Sequence, residues 1–85
     1  MIATLLTLNG APSEALFKKF LETTKGVVAA YQIEEIDNPQ AGAVFTVWKD
    51  AASRDAYMKS SPVKAEVDKT YANQSRTVYR VRNSK

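Results

Sequence analysis

The stretch that decides the fold runs from Thr46 to Pro62 and reads TVWKDAASRDAYMKSSP. Thr46, Val47 and Trp48 belong to a run of β-formers over Ala43–Lys49, which the polar Lys49-Asp50 pair breaks. Asp50 is well suited to cap a helix, because its carboxylate accepts from the free amides of a first turn. A helix carrying Tyr57 is therefore expected from Asp50 to about Ser60. Ser61-Pro62 reads as a fresh N-cap and N1 pair, and Val63, Val67 and Tyr71 recur at every fourth residue in a second helical piece.

Working outward toward the N-terminus, Ile2 to Leu8 reads as a strand closed by Asn9-Gly10. From Ser13 to Lys25, Leu16, Phe17, Phe20 and Leu21 form the apolar stripe of an amphipathic helix, with Lys18, Lys19 and Glu22 outside it. Pro12-Ser13 suits its start, and Gly26 suits the C′ position that follows its end. Val27 to Ile36 reads as a second strand. It is closed by a loop through Asp37-Asn38-Pro39 that ends at Gly42. Toward the C-terminus, Gln74 to Arg82 is the last strand.

The order β-α-β-β-α-β over residues 1–85 is that of one α+β domain, the ferredoxin-like split βαβ pattern with strands one and three central. The helices of such a domain cover one sheet face. Ile2, Thr4, Leu6 and Leu8 point to one side of strand one and Ala3, Leu5 and Thr7 to the other; in strand three Phe45 and Val47 oppose Val44 and Trp48. Strands apolar on both faces are expected to be buried on both. A homodimer that packs two open sheet faces together follows.

A chain of 85 residues with neither cysteine nor histidine has no disulfides and lacks the common zinc ligands, which leaves oligomerisation as the way to enlarge a small core. Glu34, Glu35 and Asp37 read as a solvated hairpin end and not as a metal site. The net charge is +3, with Arg76, Arg80, Arg82 and Lys85 gathered at the end. One short basic tail is not the concentrated basic face expected of a nucleic-acid binder. The opening MIATLLTLNGAPS lacks a basic n-region, and no apolar run approaches the roughly 20 residues of a membrane span. A cytoplasmic protein is expected.

Three residues are candidates for a ligand site. Trp48 is either a core residue or the wall of a pocket for a flat ligand. Tyr57 is either a surface tyrosine leaning on the sheet or a phenol that donates to a bound oxygen. Arg80 shares one strand face with Arg76 and Arg82. That row is either a cationic wall for an anionic ligand or a charged edge that blocks sheet extension. Tyr31, Tyr71 and Tyr79 have no spacing that sets them apart from core. No nucleophile and base pair or glycine-rich phosphate loop is present, so no catalytic residue is assigned.

The β-α-β-β-α-β order, the length and the run VFTVWKDAASRDAYMKSSP, Val44 to Pro62, together resemble the antibiotic-biosynthesis-monooxygenase family of dimeric α+β barrels. The resemblance implies a pocket between sheet and helices in each subunit. It also implies one of several chemistries: cofactor-independent oxygenation of phenols or quinones, haem degradation, or none assigned. For the haem-degrading branch the resemblance implies an axial histidine near Val67, a tryptophan at Tyr57 and an asparagine at Leu8. None of the three residues has the required identity, and no cofactor is expected. Two functions follow: a homodimer that binds a small hydrophobic or aromatic metabolite, or a cofactor-independent monooxygenase acting on a phenol or quinol. The pocket is expected to be small and apolar, with Tyr57 at its mouth.

Overall fold

The computed structural model describes residues 1–71 and 74–84. Strands β1 (Ile2–Thr7), β2 (Val27–Glu35), β3 (Asn38–Trp48) and β4 (Ser75–Arg80) form one sheet in the order β2-β3-β1-β4. All three pairings are antiparallel. Helices α1 (Glu14–Thr23), α2 (Ala51–Ser60) and α3 (Pro62–Thr70) complete the α+β ferredoxin-like architecture.

The helix starts are set by the residues the sequence marks. The Ser13 hydroxyl accepts from the Leu16 amide and the Asp50 carboxylate from that of Ser53, while Ser61 accepts from Lys64 with Pro62 at the first helical position. Ser61 also ends α2, its own amide donating to the Tyr57 carbonyl at 3.2 Å. The interruption therefore leaves that amide satisfied.

Two boundaries differ from the sequence reading. Gly26 has φ of +85°, but α1 stops earlier, with Thr24 already extended, so the glycine serves the turn into β2 and not the C′ position. β3 begins at Asn38, five residues before the expected Ala43, because Pro39 is accommodated by a bulge. Glu35 pairs with Asn38 and Glu34 with Gly42, so Pro39, Gln40 and Ala41 stand outside the β2 ladder. A residue without an amide proton fits there.

Gly42 accordingly lies within the strand and not at a loop end. Its amide donates to the Gly10 carbonyl at 3.2 Å, and its carbonyl accepts from Leu8 at 2.9 Å. A Cβ at this position would stand 2.6 Å from Pro12 Cδ. Gly42→Ala is therefore expected to cost about 1–3 kcal/mol through overpacking of the β1–α1 connection. An unchanged urea midpoint would contradict this close approach.

On the helix side of the sheet, Phe20, Trp48, Val63, Val67 and Tyr71 make the buried core. The Tyr71 hydroxyl donates to the Ala11 carbonyl at 2.8 Å, tying the end of α3 to the loop before α1. The opposite sheet face has no helix on it. There Phe45 pairs with Leu5 and Tyr31, and Ala3 with Val47 and Tyr79. Tyr31, Ile33 and Tyr79 are 58%, 46% and 47% exposed, so two of the tyrosines read as core stand on this open apolar face. Among the described residues no helix is long and apolar enough to cross a membrane.

Candidate ligand-binding site

A cavity of about 60 Å³ lies between the sheet and the helices. It exists because the pleat sends alternate residues of three strands to the same side: Thr4, Leu6 and Leu8 from the first, Val44, Thr46 and Trp48 from β3, and Arg76 from β4. Phe17 and Phe20 of α1 and Val67 of α3 close it from above.

Trp48 is a core residue and also borders the cavity. It is 2% exposed and its Nε1 donates to Thr4 Oγ1 at 3.1 Å, while one side of the indole forms part of the cavity wall. Phe20 meets it edge to face at 5.9 Å. Tyr57 packs edge to face on Phe20 at 5.2 Å and tilts over Trp48 at 5.6 Å. These aromatic contacts hold Tyr57 in the cavity wall; it is half-buried and not a surface tyrosine. Burial pushes its phenol pKa up, and the nearby Arg76 charge offsets this only in part, so the hydroxyl is a neutral donor at neutral pH.

Arg80 is not part of this arrangement. It lies exposed opposite Ile2 at the far end of β4, whereas Arg76 lies opposite Leu6 and lines the cavity. Four residues of strand separate the two by about 13 Å, enough to carry Arg80 away from the cavity. Of the three arginines that share this strand face, Arg76 is the one that lines the cavity. It was legible only as one of a row of three, since the strand pattern shows which face they share but not how far the helices reach.

Arg76 is held from α3. Its Nη1 lies 3.4 Å from Asp68 Oδ1, and Asp68 also takes Lys64 Nζ at 2.6 Å and a hydrogen bond from the Gln74 side-chain amide. The Arg76 side chain is only 18% exposed, and its Nη2 is buried with no hydrogen-bond partner among the described residues. A buried guanidinium nitrogen left without an acceptor costs free energy that an incoming oxygen would recover; the Tyr57 phenol stands beside the same guanidinium. The cavity therefore combines a mainly apolar, aromatic wall with the Tyr57 hydroxyl and Arg76 as donors, beside the polar side chains of Thr4, Ser13, Gln32 and Thr46.

Partial burial alone would raise the Asp68 carboxyl pKa, but bonds from Lys64 and Gln74 and the Arg76 charge outweigh it and hold the group below its ordinary 3.8. A depressed carboxyl contributes stability that is present above its unfolded pKa and lost as the pH falls through its folded one. The wild-type protein is expected to lose stability more steeply than Asp68→Asn as the pH drops below about 4. Parallel acid titrations of the two, followed by circular dichroism, check this. Among the described residues no cluster of three acidic side chains is placed to hold a metal ion, and Val67, at the position the haem comparison requires to be histidine, presents an isopropyl group.

No family model and no curated protein matches the sequence. Solved structures do match it, over nearly its full length. A variant of SnoaB, a cofactor-independent oxygenase from Streptomyces nogalater, superposes with a TM-score of 0.77 at 13% identity, covering 98% of this chain and 94% of that one. A conserved protein from Methanosarcina mazei Go1 gives 0.73 at 20% identity over 93% and 90%. An antibiotic biosynthesis monooxygenase gives 0.73 at 10% identity over 98% and 100%. The chain has the antibiotic-biosynthesis-monooxygenase-like α+β fold. At these identities the likeness concerns the fold alone, and a shared fold does not select a reaction.

Proposed function

We propose that the protein is a homodimer that binds a small hydrophobic or aromatic metabolite in the cavity between sheet and helices. Trp48 walls the ring, Tyr57 stands at the mouth, and Arg76, rather than Arg80, meets an oxygen on the ring. The observation that carries this reading is the Arg76 Nη2, buried and without a hydrogen-bond partner among the described residues, in the wall of a mainly apolar cavity. Apolar cavities with a few convergent polar groups are the usual form of small-molecule sites.

Trp48 is the only tryptophan, which makes its fluorescence a reporter of this cavity alone. Titration with 2-naphthol, excited where the indole absorbs and corrected for probe absorbance, is expected to quench Trp48 saturably, with affinity weakened at least tenfold in Arg76→Leu. Absence of saturable quenching by 2-naphthol and related phenols would remove the binding reading.

The same pair of donors favours a second reading, cofactor-independent oxygenation. A phenol whose anion is stabilised by Arg76 becomes a stronger electron donor to dioxygen, and a water-poor cavity strengthens that stabilisation. SnoaB, which shares the fold, is described as such an oxygenase. Oxygen uptake with a dihydroxyanthracene-type phenol, lost in Arg76→Leu, distinguishes this from binding without turnover.

A further inference from the structure

The cavity is too small for the ligand just described. An engineered apolar cavity of about 150 Å³ holds one benzene ring, and this one measures about 60 Å³. Part of the wall must therefore move. Phe20, Trp48 and Val67 belong to the buried core and are poor candidates. Helix α2 is different: of its ten residues, all described, none is buried. Tyr57 is the α2 residue that reaches the cavity.

Beyond Tyr57 lies a second, open space. A groove of about 550 Å³ runs between the end of α1, the end of β3 and α2, and Tyr57 forms part of its wall as well. The other groove residues differ in character from those of the cavity. They include Thr24, Ser53 and Ser60, with Lys25 and Lys49 as the cations. The one carboxylate there, Asp50, is committed to the Ser53 amide at 2.8 Å and hydroxyl at 2.7 Å. Lys25 and Lys49 form no ion pair among the described residues. Thr24 Oγ1 is buried with no partner among the same residues.

We propose that Tyr57 is a movable partition between these two spaces and that the ligand is an aromatic acid spanning both. Its ring enters the inner cavity as Tyr57 turns outward, and its anionic substituent lies in the groove against Lys25 and Lys49. This rests on the binding reading above and adds the ligand class and the residues that select it. The division of labour is physical: the inner wall excludes water and favours a flat apolar body, while the groove offers mobile ammonium groups in high dielectric, which recognise an anion without demanding a fixed geometry.

The test compares 2-naphthol with 6-hydroxy-2-naphthoate, which keeps the phenol oxygen for Arg76 and adds one carboxylate at the opposite end of the ring system, by Trp48 quenching at low salt. The acid is expected to bind at least fivefold more tightly, and the Lys25→Gln/Lys49→Gln double variant to reduce that advantage below twofold. Both lysines are exposed, so the variant is expected to fold normally. In stopped flow, Tyr57→Ala is expected to speed naphthol association at least tenfold, whereas Tyr57→Phe, which keeps the ring, is not. If naphthol binds but the carboxylate adds nothing, or its advantage survives loss of both lysines, the aromatic-acid inference falls while the binding reading stands. An unchanged association rate in Tyr57→Ala would remove the partition. If neither probe quenches Trp48, the binding reading falls and this inference with it.

Discussion

Replacing Trp48 with alanine is expected to destabilise the protein by about 3–5 kcal/mol, the usual cost of deleting a buried large aromatic. The reason lies in how many parts of the fold meet at this residue. The indole ends β3, is 2% exposed, packs on Phe20 of α1 and Tyr57 of α2, and holds the Thr4 hydroxyl of β1 through Nε1. Domains of this size have a total stability of roughly 0.05–0.15 kcal/mol per residue, so the loss consumes a large part of it. Circular dichroism in urea measures the change. Trp48→Phe, which keeps a ring in the core but gives up the bond to Thr4, is expected to lose markedly less. A Trp48→Ala midpoint near wild type would mean that the tryptophan is not the junction described.

The second large effect concerns the open sheet face. Phe45 stands near its centre, between Leu5 and Tyr31, with exposed Ile33 and Tyr79 on the same face. If two such faces pack together, an ammonium group at Phe45 is buried without a partner, and the dimer constant is expected to weaken by at least about 100-fold. Sedimentation should then show wild type at about twice 9.4 kDa and Phe45→Lys at 9.4 kDa. A wild-type chain that sediments as a folded monomer at micromolar concentration would refute the homodimer. So would a variant that stays dimeric.

Much of the fold was legible because local signals agreed with one another. Ser13, Asp50 and Ser61-Pro62 mark the helix starts where the structure has them, and the two-residue period of strands one and three assigned their faces correctly. The misreadings arose where tertiary context overrides local chemistry. Pro39 and Gly42 looked like loop residues, but a bulge accommodates the first and the close approach of Pro12 requires the second. Both are properties of neighbours distant in sequence.

The site was half legible for the same reason. Trp48 and Tyr57 are brought together by the strand-to-helix connection between them, which is short and local. The arginine depends on where β4 lies relative to α3, a relation between elements that no spacing within the strand encodes. Arg80 and Arg76 look equivalent in sequence, yet only Arg76 lies within reach of Asp68 and the cavity. The size mismatch between the cavity and the proposed ligand could not be read from residue types at all, because it depends on how completely Phe17, Phe20 and Tyr57 fill the space above the sheet.

The central claim is that the space between sheet and helices is a binding site. Its most direct test is an NMR titration of uniformly labelled protein with 2-naphthol, following backbone amides and side-chain methyls. The account predicts saturable shifts confined to Leu6, Val44, Val67 and the α2 segment around Tyr57, with a matching change at the Trp48 indole N–H. Shifts that instead map to Leu5, Ile33 and Val47 on the open face, or no saturable shifts at all, would contradict it.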